Sequence, residues 1–229
     1  MENSTDQFGV YLEIGKKRVF AGAVDWPGWQ RSGSDPTSAL QTLYNYTQRY
    51  AAVLHPAGLA FTTPDSPAAF NVIERLEGDM TTDFGAPGKI PSFDAESLDE
   101  RELDLLREIL EACWVAFSQI MKSAQGIELR KGPRGGGRDL DKIVGHVLGG
   151  QGAYLSKLGV KFRVDEGGDP QAELSRMRQA ILDNLKLEVL DQIPPTGPRG
   201  GAHWPARYFV RRSAWHILDH AWEIEDRRE

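Results

Sequence analysis

The sequence predicts an α+β N-terminal unit, a β-hairpin or small sheet with one helix, followed by an all-α up-and-down four-helix bundle. Three observations carry that expectation. Val10 to Ile14 alternates apolar and polar as a half-buried strand does, and a second strand-like run follows a short turn. From residue 97 onward, apolar residues recur at helical spacing in four stretches divided by Gly- and Pro-rich breaks. Between these regions, residues 78–96 are punctuated by Gly78, Gly85, Pro87, Gly88 and Pro91. The expected organisation is a domain over 1–77, a linker over 78–96 and a helical domain over 97–229.

In the first domain, Gly15-Lys16 turns the chain after the first strand, and Arg18 to Val24 returns as the second. Asp25-Trp26-Pro27-Gly28 breaks the pairing, and Trp29 to Ser32 is expected as a short third strand. Asp35-Pro36 opens a helix: Asp caps it, and Pro takes the first helical position, where a missing N–H costs nothing. Ala39, Leu40, Leu43, Tyr46, Tyr50, Val53 and Leu54 give that helix one apolar stripe up to His55-Pro56-Ala57-Gly58. Phe70 to Glu77 reads as another strand. Phe84, Ile90 and Phe93 are expected to hold the linker against a surface.

Two strands, Asp25-x-Pro27-Gly28, a Gly33-Ser34 turn and the Ala39-Leu40 helix together resemble the HicB-type fold, a partial RNase-H-like module known as the antitoxin half of toxin–antitoxin pairs. The resemblance spans about residues 8–60 and carries no catalytic residues. No helix-turn-helix or ribbon segment follows it, so it implies a scaffold or docking module.

In the second domain, Ser97-x-x-Glu100 reads as a capping box for a helix with apolar Leu103, Leu106, Leu110, Cys113, Trp114, Phe117, Ile120 and Met121. Cys113 falls within that stripe and is expected to be a buried structural thiol. Asp139 caps a second helix carrying His146 among Gly145, Gly149, Gly150 and Gly152. Four glycines in eight residues destabilise a helix, by up to ~1 kcal/mol each against alanine; room for a crevice beside His146 is the expected compensation. Asp169-Pro170 opens the third helix, and Trp204 to Asp226 forms the fourth. The loops before the second and fourth helices are long, basic and rich in Gly and Pro.

The fourth helix carries His216 and His220, four residues apart and therefore on one face. With His146 they can make a three-nitrogen site whose fourth position stays open, the pattern of a catalytic metal. Zinc suits these ligands best, with nickel, iron or copper also accepted by imidazole. One His on the second helix and His-x3-His on the last resemble the DinB/YfiT-like superfamily of four-helix bundles over residues 97–226. That resemblance implies His146, His216 and His220 as metal ligands. It also implies a thiol-dependent transferase or isomerase that uses a low-molecular-weight thiol on a small electrophile. A metal-assisted hydrolase and a non-catalytic docking or metal-binding protein are the alternatives.

Around the site, Asp219 and Glu223 are the candidate catalytic or supporting carboxylates, each able to accept an imidazole N–H. Arg134, Arg138, Arg199 and Arg207 are candidates for holding an anionic part of a thiol or substrate. Tyr208, Trp215 and Trp222 recur every seven residues. They are expected to be covered, by the N-terminal unit, by a second copy in a homodimer, or by the bundle packing helix four on both sides.

Composition sets the remaining bounds. With 27 basic and 33 acidic residues the net charge is −6, which argues against nucleic acid as a partner. A single cysteine excludes an internal disulfide and a cysteine-built metal site. The N-terminal MENSTDQFGV has neither a basic nor an apolar signal region, and no run of 18 apolar residues occurs, so the cytoplasm is the expected location and no membrane contact is expected.

Overall fold

The computed structural model describes residues 7–131, 137–165, 167–189 and 203–228. The chain divides into two compact units, Met1–Glu96 and Ser97–Glu229, an α+β unit followed by helices.

The first unit runs β1 (Phe8–Ile14), β2 (Val19–Ala23), β3 (Gln30–Gly33), α1 (Pro36–Asn45), α2 (Thr47–Leu54), β4 (Phe70–Glu77) and α3 (Met80–Phe84). The sheet order is β3-β2-β1-β4. The hairpin pairs antiparallel, Val10 opposite Ala23 through Ile14 opposite Val19, whereas β4 lies parallel to β1. Trp29 anchors the core: its ring stacks on Tyr50, centroids 5.9 Å apart, and its indole N–H donates to the Leu43 carbonyl at 3.0 Å. Burying both the ring and its one polar atom with a partner makes this a stable centre for α1 and α2.

Two expectations for this unit are revised. The helix expected from Pro36 to Leu54 is two helices, parted at Tyr46 (φ −92°, ψ 0°). No glycine or proline marks that break. The stretch expected as a linker, 78–96, belongs to the compact first unit. Its anchor is Glu13 on β1, which is fully buried. The Glu13 carboxylate accepts from the Thr82 hydroxyl and from the backbone N–H groups of Gly88 (2.9 Å) and Lys89 (3.1 Å). A buried carboxylate needs such donors, because burial without them is strongly unfavourable. Phe84 stays 87% exposed, while Phe93 packs edge-on against Tyr11.

The second unit contains α4 (Glu100–Ser123), α5 (Leu140–Leu155), α6 (Pro170–Val189) and α7 (Ala206–Arg228). Both α4 and α5 pack against α6 and α7. The cap of α4 lies two residues later than the sequence suggests: Asp99 accepts from the Glu102 N–H at 2.8 Å, and Glu102 accepts in return from the Asp99 N–H at 3.1 Å. Asp139 caps α5 through the Lys142 N–H, and Asp169 caps α6 through the Ala172 N–H.

Most of α7 is buried around its whole circumference, Tyr208 through Leu218 without interruption. Tyr208, Trp215 and Trp222 are buried within the single chain. Cys113 is fully buried as well, and burial pushes its thiol up, away from the reactive thiolate. No helix among the described residues is long and apolar enough to cross a membrane.

Candidate metal centre

Helix α7 presents His216 and His220 one turn apart, and α5, packed against it, presents His146. One ligand nitrogen from each of the three lies within 4.8 Å of the other two. The Nε2 atoms of His216 and His146 are 3.3 Å apart. Two nitrogens each bound at zinc distance, about 2.0–2.1 Å, and subtending a tetrahedral angle stand about 3.3–3.4 Å apart. The separation therefore matches what a shared zinc ion requires. The three rings meet edge-on or nearly so, with centroids 4.8 to 5.1 Å apart, so their nitrogens converge and no ring stacks on another.

A glycine makes the approach possible. A Cβ placed on Gly150, one turn beyond His146, would sit 2.5 Å from Cε1 of His216. No real side chain tolerates that contact, so the notch at Gly150 lets the imidazole lie against the α5 backbone. Gly145 and Gly149 differ: a Cβ on either would meet nothing within 4 Å. They open instead onto a cavity of about 590 Å³ walled by Met121, Val144, Leu148 and Pro170. The crevice expected beside His146 is thus two features, a notch filled by His216 and a separate cavity.

Protonation states suit metal binding. Burial, reinforced by the neighbouring charges of His220 and Arg212, pushes His216 down to about 2, so its imidazole is neutral at any ordinary pH. Its Nδ1 is buried without a hydrogen-bond partner. Burial also lowers His146. His220 is held differently: its Nδ1 lies 2.8 Å from Oε2 of Glu223. Donation from Nδ1 leaves the lone pair on Nε2 for a metal, the tautomer that a carboxylate partner enforces. The hydrogen bond from His220 holds the Glu223 carboxyl below the usual range. Its other oxygen accepts from Arg227 at 2.7 Å, and Arg227 in turn donates to the Arg130 carbonyl at 2.8 Å.

The remaining residues named from the sequence fall elsewhere. Asp219 is half-buried on α7. Arg138 is exposed, yet its charge disfavours protonation of both His146 and His216. Arg207 is engaged by Glu102 at 2.8 Å and by the Ser97 carbonyl at 3.2 Å. It ties α7 to the start of α4 through Nη2. Arg134 and Arg199 lie outside the described residues. His55 is bonded to the Phe61 carbonyl, and His203 is not in the cluster.

Two neighbours of the centre escaped the sequence reading. The Tyr154 ring lies 5.5 Å from that of His216. The Arg212 guanidinium lies between Tyr154 and Trp215, 5.1 and 4.4 Å from the ring centroids. The signal for Arg212 was present, since it precedes His216 by four residues and shares its face. The comparisons add no relative to this description: no family model, no curated protein and no solved structure matches the chain.

Proposed function

We propose that this chain is a metal-dependent enzyme of the DinB/YfiT-like class, a thiol-dependent transferase or isomerase acting on a small electrophile. On this reading the helical unit is that class's four-helix bundle, and the first unit is a HicB-like docking module. The observation that carries the proposal is the convergence of His146, His216 and His220 from two helices, with their candidate ligand nitrogens within 4.8 Å of one another. Three imidazole ligands suit zinc, with nickel or iron as substitutes. A divalent metal held by three protein ligands supplies an open Lewis-acid position at which a thiol loses its proton near neutral pH.

The protein's own contributions follow from its side chains. Burial disfavours protonation of both His146 and His216, which favours the lone pair a metal ligand needs. Glu223, steadied by Arg227, fixes the ring of His220. Tyr154 and Trp215 bring aromatic surface against His216 and limit water there. Glu223 also supports thiol chemistry over hydrolysis: both its oxygens are engaged, one by His220 and one by Arg227, which leaves it poorly placed to take a proton from water.

Elemental analysis of the purified protein tests this reading. The expected result is about one zinc per chain, lost in His216→Ala with helicity retained, and metal-dependent consumption of a thiol such as mycothiol or bacillithiol with an electrophile such as chlorodinitrobenzene. Failure to take up zinc from an equimolar supply would overturn the proposal. Stoichiometric zinc without thiol consumption would support a non-catalytic metal-binding protein instead.

A further inference from the structure

The face of α7 that carries His216 and His220 carries a third residue at the same spacing, Arg212. Arg212 is only 8% exposed, and its Nη1 is buried without a partner. Among the described residues, no carboxylate pairs with it. Other charges withdrawn from water near the site or in the core have counter-groups. Glu13 has three donors, Glu223 has His220 and Arg227, and Arg207 has Glu102. A guanidinium withdrawn from water without a counter-charge is strongly disfavoured. The stacks on Trp215 and Tyr154 offset part of this, but they satisfy none of its N–H groups.

The position of this charge is informative. Tyr154 is shared: the Arg212 guanidinium lies 5.1 Å from its ring centroid and the His216 ring 5.5 Å from it. Arg212 is thus one helical turn from a metal ligand, about 6 Å along the axis. Exposed Arg138 adds a second positive charge felt by His146 and His216.

We propose that Arg212 is the receptor for a carboxylate on the ligand that occupies the metal centre. The class of ligand is then a carboxylate-bearing thiol or electrophile. A guanidinium offers two parallel N–H donors in a plane, which a carboxylate matches in pairs. The position of the ligand at the metal rests on the function proposed above, whereas the affinity of Arg212 for a carboxylate does not.

Two measurements on the full chain test the assignment. In the first, zinc-loaded protein is titrated calorimetrically with mercaptoacetate and with 2-mercaptoethanol, which share a thiol and differ in the carboxylate. Mercaptoacetate is expected to bind at least about tenfold tighter, the effect of one charge-assisted hydrogen-bonded pair. Arg212→Met should erase the difference while one zinc per chain remains. In the second, the metal-free protein is melted in sodium acetate and in sodium chloride at equal ionic strength. Acetate should raise the melting temperature of the native protein and leave that of Arg212→Met unchanged.

The outcomes separate the two claims. Arg212-dependent stabilisation by acetate without zinc uptake keeps the anion receptor and sinks the metal reading. Zinc uptake with no preference for mercaptoacetate and no effect of acetate sinks the anion receptor and leaves the metal reading standing. Should Arg212→Met fail to fold, the native protein's two preferences decide, with Arg212→Lys expected to retain charge but lose part of each.

Discussion

Gly150 sets how closely α5 approaches the face of α7 that carries His216. The glycines of α5 look alike in the sequence, yet the structure gives them opposite reasons. A Cβ at 150 would strike the His216 ring at 2.5 Å, whereas a Cβ at 145 meets nothing within 4 Å. Gly150→Ala should therefore displace His216 and weaken zinc binding more than about tenfold, comparable to loss of an orienting partner. Gly145→Ala should leave zinc binding intact and stabilise the helix by about 0.5–1 kcal/mol, since alanine restricts the unfolded chain and favours the helix. Zinc titration with a competing chelator and urea denaturation of both variants check this pair. Equal zinc affinity in Gly150→Ala and the native protein would contradict the notch.

At the scale of elements, α7 carries an acid-sensitive load. His216 is held down to about 2 in the fold, against an ordinary value of 6.5 in the unfolded chain. Above pH 6.5 both states are neutral and His216 contributes nothing to the pH dependence. Below it the unfolded chain takes a proton that the native state refuses, so stability falls as pH falls toward 2. The limiting slope is about 1.4 kcal/mol per pH unit for one such group, and His146 adds to it with the same sign. Between pH 6.5 and 5, above the carboxylate range, the urea midpoint of the metal-free protein should drop, and it should drop less in His216→Gln. Identical slopes would show that His216 is not held neutral by burial.

The sequence was informative about elements and about residues on a shared helix, and less so about what meets across them. His216, His220 and Glu223 are legible because three- and four-residue spacings place side chains on one helical face. His146 was found by combining an amphipathic stripe with a family resemblance. The break at Tyr46 was hidden because it uses no glycine or proline. Placement of 78–96 was hidden because its anchor, Glu13, is more than 60 residues away along the chain. Glu13 alternates like a solvent-facing residue, and only the returning Thr82, Gly88 and Lys89 donors make its burial tolerable. Glu13→Ala should leave those donors buried without an acceptor. The expected cost is about 3 kcal/mol, at roughly 1 kcal/mol per unmet donor. Faster amide exchange confined to residues 79–90 would register the loss, and unchanged exchange there would refute the clamp.

For the whole molecule, the division of labour follows from where the parts of the site reside. Both ligand helices, the notch at Gly150, the Glu223–Arg227 support and Arg212 all belong to Ser97–Glu229. The first unit has its own sheet, its own aromatic centre at Trp29 and its own polar clamp at Glu13. The groups named for each unit find their partners within that unit, as in independently folding domains. Residues 97–229 expressed alone should therefore be helical, melt cooperatively and bind one zinc with the affinity of the full chain. Residues 1–96 alone should fold and bind none. Circular dichroism and zinc titration of the two fragments measure this directly. Zinc uptake by the full chain but not by a folded 97–229 fragment would mean that the centre needs a contribution from the first unit. Retained uptake would confine the metal chemistry to the helical unit and leave the sheet unit free to serve as a docking module.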